Sequence, residues 1–71
     1  MTSDDTTRKI AKKIRSIRRE KEMTQAQVAE KAKIHPSYYA RVERAEVKPS
    51  VEVYERIAKV LKVTASDIFP F

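Results

Sequence analysis

The sequence predicts an all-α fold, and three observations lead to that prediction. Apolar residues recur at helical steps of four and three, as in Ile10, Ile14 and Ile17. The chain is rich in Ala, Lys, Arg, Glu and Gln, which favour helices, and it shows no alternating strand pattern. Short polar residues that can cap helices precede several of the apolar stripes.

The first helix is expected to begin between Asp4 and Thr7, because their side-chain oxygens can accept hydrogen bonds from exposed amides. We expect it to run to about Glu22, with the three isoleucines as its apolar stripe. Most of its cations lie off that stripe, and we interpret them as a solvated face.

A second and a third helix are expected to be separated by only a few residues. Thr24-Gln25-Ala26-Gln27 has the form of a capping box, so a helix starts there. It cannot extend far past Lys33, because Pro36 disfavours helical dihedrals in the residue before it. Pro36 suits a first helical turn, so the third helix covers Pro36 to about Arg44. The inward residues of the two helices are Val28, Ala29, Ala32, Tyr39, Val42 and Glu43.

The rest of the chain is expected to form one longer helix and a last short turn. A loop over residues 45–49 ends the third helix, Ser50 caps the fourth, residues 64–67 cap the last turn and Pro70 closes the fold. The core stripe of the fourth helix is Tyr54, Ile57, Ala58 and Leu61, and the last turn carries Ile68 and Phe69.

Composition narrows the kind of protein. A chain of 71 residues is expected to form one domain, residues 1–71, whose first few residues fray. The net charge of +6 indicates a polyanionic partner, with nucleic acid first and an anionic membrane surface second. No apolar stretch is long enough to span a bilayer and the first residues are polar, so we expect a cytoplasmic protein with no membrane partner.

Residues for catalysis or metal binding are scarce. The chain has no glycine, no cysteine and a single histidine, whereas metal sites need three or four ligands. We therefore expect that the protein is not an enzyme and that it binds no metal, no cofactor and no small-molecule ligand. His35 is interpreted as the cap of the third helix, with a nucleic-acid phosphate contact as the alternative.

The second and third helices, joined by a tight turn, form a helix-turn-helix unit, whose second helix enters the major groove of DNA. The small Ala29 lies where the two helices would cross, and Tyr39 and Val42 fix the inner face of the entering helix. The positions left for solvent or DNA are Ser37, Ala40, Arg41 and Arg44.

An ordered set of motifs carries a family resemblance. The motifs are Met23-Thr24-Gln25-Ala26-Gln27-Val28-Ala29, Ser37-Tyr38-Tyr39-Ala40-Arg41-Val42-Glu43-Arg44, Pro49-Ser50 and Ile57-Ala58-Lys59-Val60-Leu61. They resemble the Cro and phage-repressor (xenobiotic-response-element) helix-turn-helix family over roughly residues 8 to 69. Small stand-alone members include the controller proteins of restriction-modification systems. The resemblance implies a compact five-helix, lambda-repressor-like fold and, usually, a homodimer on a pseudo-palindromic operator.

The resemblance also implies roles for individual residues. Arg41 is expected to read a base, because its guanidinium can pair with guanine O6 and N7 for about 1–3 kcal/mol of discrimination. Arg18 and Glu43 are expected to form an ion pair between the first helix and the recognition helix. The implied base contacts are Pro36, Ser37, Ala40 and Arg41, and the implied phosphate contacts are Gln25, Tyr38, Arg44 and Lys48. For Tyr38, a place in the core is an equal alternative.

Three positions depart from the family pattern. Lys33 and Ala45 stand where glycine is frequent, and a left-handed Lys33 would cost roughly 1 kcal/mol. Pro36 stands where a polar base-contacting residue is common, so this position is expected to read shape or a methyl group.

An apolar edge on the fourth helix suggests self-association. Val53 and Val60 lie seven residues apart and off the core stripe. With Ile68, Phe69 and Phe71 they would make an isologous dimer surface, although scattered exposed valines are ordinary.

These features together predict a transcriptional regulator that binds a specific sequence in double-stranded DNA. The alternative is an antitoxin-type or other protein-interaction module, with DNA binding secondary, although no extra partner-binding segment is visible. RNA binding is disfavoured, because an exposed aromatic platform for splayed bases is missing.

Overall fold

The computed structural model describes residues 4–70, and over that range the chain forms five helices and no strand. The helices are α1 (Asp5–Glu20), α2 (Gln25–Ala32), α3 (Pro36–Glu43), α4 (Val51–Leu61) and α5 (Ala65–Ile68). The predicted all-α, five-helix fold is confirmed. The residues predicted to fray at the start of the chain lie outside the described range.

Side-chain caps explain where the helices begin. The Asp4 carboxylate accepts a hydrogen bond from the Thr7 N–H at 2.7 Å, and the Ser50 hydroxyl accepts one in the first turn of α4. Thr24 and Gln27 form the predicted capping box, each side chain accepting from the other residue's amide at 3.1 and 2.8 Å. These caps satisfy amides that have no partner within the helix.

Left-handed residues follow the ends of α1, α2, α3 and α4, and none of them is glycine. A left-handed backbone costs an L-residue roughly 1–2 kcal/mol, which glycine would avoid. The left-handed Glu22 turns the chain after α1, so this helix ends at Glu20, two residues before its expected end. The left-handed residues are Glu22, Lys33, Ala45 and Lys62, with φ of 57°, 61°, 59° and 60°.

Arg56 of α4 supports one of these turns from outside. Its guanidinium donates to the carbonyl oxygens of Ala32 and Lys33 at 3.1 and 2.8 Å, so it binds the C-terminal end of α2. A cation at this end is also favourable for the helix dipole.

The core lies between α2, which packs mainly against α3 and α4, and the apolar stripe of α1. Ala29 is fully buried, and its small side chain lets α2 approach its neighbours closely. The predicted inward stripes are confirmed as buried: Ile10, Ile14, Ile17, Val28, Ala29, Ala32, Tyr39, Val42, Tyr54, Ile57, Ala58 and Leu61.

The prediction that Ile68 belongs to a dimer surface is wrong. Ile68 is 1% exposed and joins the core, because the short α5 packs against α1 and α4 and turns this side chain inward. Burial there removes its apolar surface from water within one chain, so none is left for a second copy.

Candidate nucleic-acid interface

The turn between α2 and α3 sets the direction of α3. Lys33 adopts the left-handed conformation, and the Ile34 N–H returns to the Ala29 carbonyl oxygen at 3.0 Å. Pro36 then occupies the first turn of α3. The two helices are therefore joined by three residues with defined backbone bonds, as a helix-turn-helix requires.

The two faces of α3 differ in burial and charge. Tyr39, Val42 and Glu43 point into the protein and are 0%, 1% and 2% exposed. The outer face holds the implied base-contacting residues, of which Ala40 is half-buried and the others are exposed: Pro36, Ser37, Ala40 and Arg41.

Arg18 and Glu43 form a paired, hydrogen-bonded network with Gln25. Arg18 donates through Nε and Nη2 to the two carboxylate oxygens of Glu43 at 2.6 and 3.1 Å, and through Nη1 to the Met23 carbonyl at 2.8 Å. Gln25 Nε2 donates to Glu43 Oε1 at 3.0 Å. The Glu43 side chain is 1% exposed and that of Arg18 is 12% exposed. One buried carboxylate thus joins α1, α2 and α3.

The network also changes the acidity of its members. Burial alone would raise the pKa of Glu43, but hydrogen bonds led by that from Arg18 hold the pKa below its ordinary value. Burial raises the pKa of the Tyr39 hydroxyl, and the nearby Glu43 carboxylate raises it further. That hydroxyl has no hydrogen bond of good geometry among the described residues, although it lies close enough to sense the charge. Glu43 is therefore a carboxylate held in its charged form.

Arg41 of α3 and Arg44, which caps the end of α3, share an acidic neighbour that the sequence analysis did not single out. Arg44 donates through Nε and Nη2 to the Glu46 carboxylate at 2.8 and 3.2 Å. Arg41 Nε lies 3.8 Å from Glu46 Oε1. All three side chains remain about half exposed, at 55%, 54% and 47% for Arg41, Arg44 and Glu46. In the sequence, the signal for these contacts was an acidic residue, Glu46, just after the third helix.

Lys48, in the loop between α3 and α4, contacts the start of the chain's first helix. Its Nζ lies 2.9 Å from Asp4 Oδ2, and the side chain is 65% exposed. The Thr7 amide and Lys48 together hold the pKa of Asp4 far below its ordinary value. Asp4 thus caps α1 and also pairs with Lys48 in the loop, a second contact that capping preference did not reveal.

His35 caps α3, which is the first of its two interpretations. The Nδ1 atom accepts from the Ser37 N–H at 3.1 Å and lies 2.9 Å from the Ser37 hydroxyl. Tyr38 is half-buried and packs against the core. The packing of the Tyr38 ring therefore also determines where its hydroxyl lies.

The apolar edge of α4 is only partly open. Val53, Val60 and Phe69 are half-buried and pack against the core, and the Phe69 ring meets the Tyr54 ring edge to face at 5.6 Å. Val51, which the sequence analysis did not select, is 61% exposed. Phe71, also assigned to the dimer surface, lies outside the described residues.

Other kinds of site are missing from the described part of the chain. Between residues 4 and 70, no cluster of His, Asp or Glu could hold a metal ion. None of the helices in that range is long and apolar enough to cross a membrane. The chemistry that the surface around α3 offers is hydrogen bonding and charge, suited to a polyanion.

Comparison with known proteins agrees with this geometry. The chain is 39% identical over 59 residues to the immunity repressor protein of Bacillus phage phi105, a match that spans 83% of this chain and 41% of the repressor. Among solved structures, the restriction-modification controller protein C.AhdI from Aeromonas hydrophila superposes with a TM-score of 0.86 and 24% identity, over 89% of this chain and 96% of the controller. The hypothetical transcription factor NHTF from Neisseria gives 0.88 and 24%, over 97% and 82%.

The match to a family settles the kind of protein. The helix-turn-helix family profile covers residues 14–68, which include all of α2, α3 and α4. The relatives named above are a repressor, a controller protein and a hypothetical transcription factor rather than enzymes, which agrees with the prediction that the chain is not an enzyme. This chain belongs to the helix-turn-helix family.

Proposed function

We propose that the chain acts as a repressor-like regulator that lays α3 in the major groove and recognises a specific operator sequence. The observation that carries this proposal is the division of α3, whose back is fixed by the buried Glu43 while Ser37 and Arg41 stay exposed. A side chain that reads base edges needs such a rigid support, because misplacing a hydrogen-bond donor removes the discrimination.

In this proposal Arg41 pairs with a guanine, and Ser37 and Ala40 lie against neighbouring bases with Pro36 beside them. The guanidinium fork of an arginine matches the two acceptors of guanine in the major groove. The half-buried Ala40 presents little more than a methyl group, which suits contact with a thymine methyl.

Phosphate contacts come from four residues around α3. Gln25 uses one amide hydrogen for Glu43, and since a primary amide carries two, the other can bind a phosphate. Contacts of this kind fix the register of the protein on the duplex without reading sequence. The set comprises Gln25, Tyr38, Arg44 and Lys48.

We also propose that two copies bind a pseudo-palindromic operator through a symmetric contact along α4. Val53, Val60 and Phe69 keep part of their surface exposed, and Phe71 follows Phe69 two residues later in the sequence. A symmetric pair would bring two copies of α3 to half-sites about one DNA turn apart.

Selection of bound duplexes from a random pool, followed by titration of single-base variants, tests the proposal. Arg41→Ala should lose preference at one position per half-site, by roughly 5- to 150-fold, the range that a bidentate contact provides. Lys48→Ala should weaken binding to all duplexes alike and reduce the salt slope by about one. Lys9→Ala, an exposed cation on α1, is the matched control. Base preferences that survive in Arg41→Ala would refute the assignment of Arg41, and failure of the chain to bind duplexes in dilute buffer would refute the function.

A further inference from the structure

Glu46 occupies a place on the surface around α3 where a DNA-binding protein gains nothing from an acid. Its position is set by the backbone, because the Ala45 N–H bonds to the Val42 carbonyl at 3.0 Å and the Glu46 N–H to the Arg41 carbonyl at 2.9 Å. This pair of bonds around the left-handed Ala45 is the Schellman motif, which reverses the chain at the end of a helix. The turn therefore directs Glu46 back toward Arg41 of α3 and Arg44, the residue that caps α3.

The carboxylate of Glu46 uses the same edge of Arg44 that a phosphate would use. Arg44 donates to it through Nε and Nη2 at 2.8 and 3.2 Å, the two-pronged geometry with which arginine also binds phosphates. Arg41 Nε lies 3.8 Å away, near enough to be attracted without a hydrogen bond. The pKa of Glu46 lies below its ordinary value because of the hydrogen bonds from Arg44, so the carboxylate is charged at neutral pH.

We propose that Glu46 is a specificity-determining residue that acts as a built-in competitor of DNA phosphate for Arg44 and Arg41. This inference rests on the proposed function. On a random duplex, where affinity comes from phosphates, a phosphate must displace Glu46 or accept its repulsion, so binding is weakened. On the operator, the base contact of Arg41 compensates for that loss. Glu46 thereby raises the ratio of specific to non-specific affinity, the quantity that governs regulation among many competing sites.

The pair is weak enough to be displaced. Both arginines and Glu46 are about half exposed, and ion pairs in such surroundings contribute little to stability. Glu46 therefore does not prevent Arg44 from reaching a phosphate and only lowers the gain when it does. It should also hold the Arg44 side chain near one orientation until DNA arrives.

The test compares the Glu46→Gln variant with the wild-type protein, both as the full chain. Glutamine keeps the length of the side chain and removes its charge, so one additional phosphate contact should become favourable. At about 0.1 M salt, release of one more counterion corresponds to at most about eightfold in affinity, and we expect random duplex to bind about 3- to 8-fold more tightly. The salt slope on random duplex should become steeper by about one. The selected operator should gain less, so the ratio of the two affinities should fall.

Glu30→Gln is the matched control, because Glu30 is an exposed acid on α2 and its loss changes the net charge equally. Fluorescence anisotropy with both duplexes at two salt concentrations gives all the required constants, and circular dichroism verifies that each variant is folded. Equal effects of Glu46→Gln and Glu30→Gln, or weaker binding by Glu46→Gln, would overturn the inference while the wild-type chain still binds its operator. If the wild type binds neither duplex, the proposed function itself is wrong.

Discussion

The sharpest prediction concerns the buried carboxylate behind α3. Arg18→Met removes the guanidinium and keeps an unbranched apolar stem, so Glu43 loses the bonds from Nε and Nη2 and keeps that from Gln25. Since the Glu43 side chain is only 1% exposed, water cannot replace the lost donors. The variant must therefore either hold an unpaired charge in its interior or protonate Glu43.

Protonation sets an upper limit on the penalty that the unpaired Glu43 charge itself imposes at a given pH. The ordinary pKa of Glu43 is 4.5, so protonating the carboxyl at pH 7 takes about 2.5 units at 1.36 kcal/mol each, or about 3.4 kcal/mol. This agrees with the roughly 3–5 kcal/mol observed when one partner of a buried pair is removed. A chain of 71 residues has a free energy of unfolding of only about 4–11 kcal/mol, so the variant loses a large fraction of it.

The direction of the pH effect follows from the two pKa shifts. In the wild type the folded-state pKa of Glu43 is lowered, so its contribution is present above the unfolded-state pKa and lost as the pH falls. In Arg18→Met the folded-state pKa is raised, so the penalty appears above the unfolded-state pKa and grows with pH. The difference between the two proteins should therefore shrink from about 3 kcal/mol at pH 7 to about 1 kcal/mol at pH 5.

Urea denaturation followed by circular dichroism at both pH values measures this difference. Arg19→Met, at an exposed position on the same helix, should change stability by less than about 0.5 kcal/mol. Arg18→Met combined with Glu43→Leu should recover most of the stability, because both charges are gone, and it remains informative if the single variant does not fold. A loss below about 1 kcal/mol at pH 7, or one equal at pH 5 and pH 7, would refute the reasoning.

Two further predictions concern stability. Lys62→Gly should stabilise the chain by about 0.5–1 kcal/mol, because Lys62 has φ of 60° and glycine removes the strain, whereas Lys59→Gly inside α4 should destabilise it by about 1 kcal/mol. Thermal melting of both variants tests this prediction. Stability changes of the same sign in Lys62→Gly and Lys59→Gly would contradict the role of backbone conformation. Asp4→Asn should destabilise the chain at pH 6, and the loss should shrink below pH 3.8 as the pH approaches the folded-state pKa of Asp4, which lies far below that ordinary value. A gap between wild type and variant in urea denaturation that does not narrow between pH 6 and pH 2 would show that the ionised form of Asp4 does not matter.

Helix positions could be predicted from sequence where a cap and an apolar stripe coincide. Thr24 and Ser50 each precede such a stripe, and both begin helices. The end of α1 was less well predicted, because Glu22 adopts a left-handed conformation that its residue type does not favour. Local preferences mark beginnings better than ends in a chain that lacks glycine.

The candidate site was predictable on α3 and less so around it. Periodicity separated the buried Tyr39 and Val42 from the exposed Arg41, because eight helical residues define two faces. Ile68 could not be assigned in this way, because the four residues of α5 are too few for periodicity to separate two faces. The burial of Ile68 depends on the packing of α5 against α1 and α4. Glu46 was not singled out because its direction follows from the turn at Ala45, which no spacing encodes.

The division of α3 has a practical consequence for engineering. The exposed Ser37 and Arg41 can be exchanged to seek a new target sequence with little cost in stability, because their side chains do not take part in the packing. Glu43 cannot be exchanged alone, since Arg18 and Gln25 depend on it. Grafting the helix into another scaffold would therefore require all three of these residues to travel together.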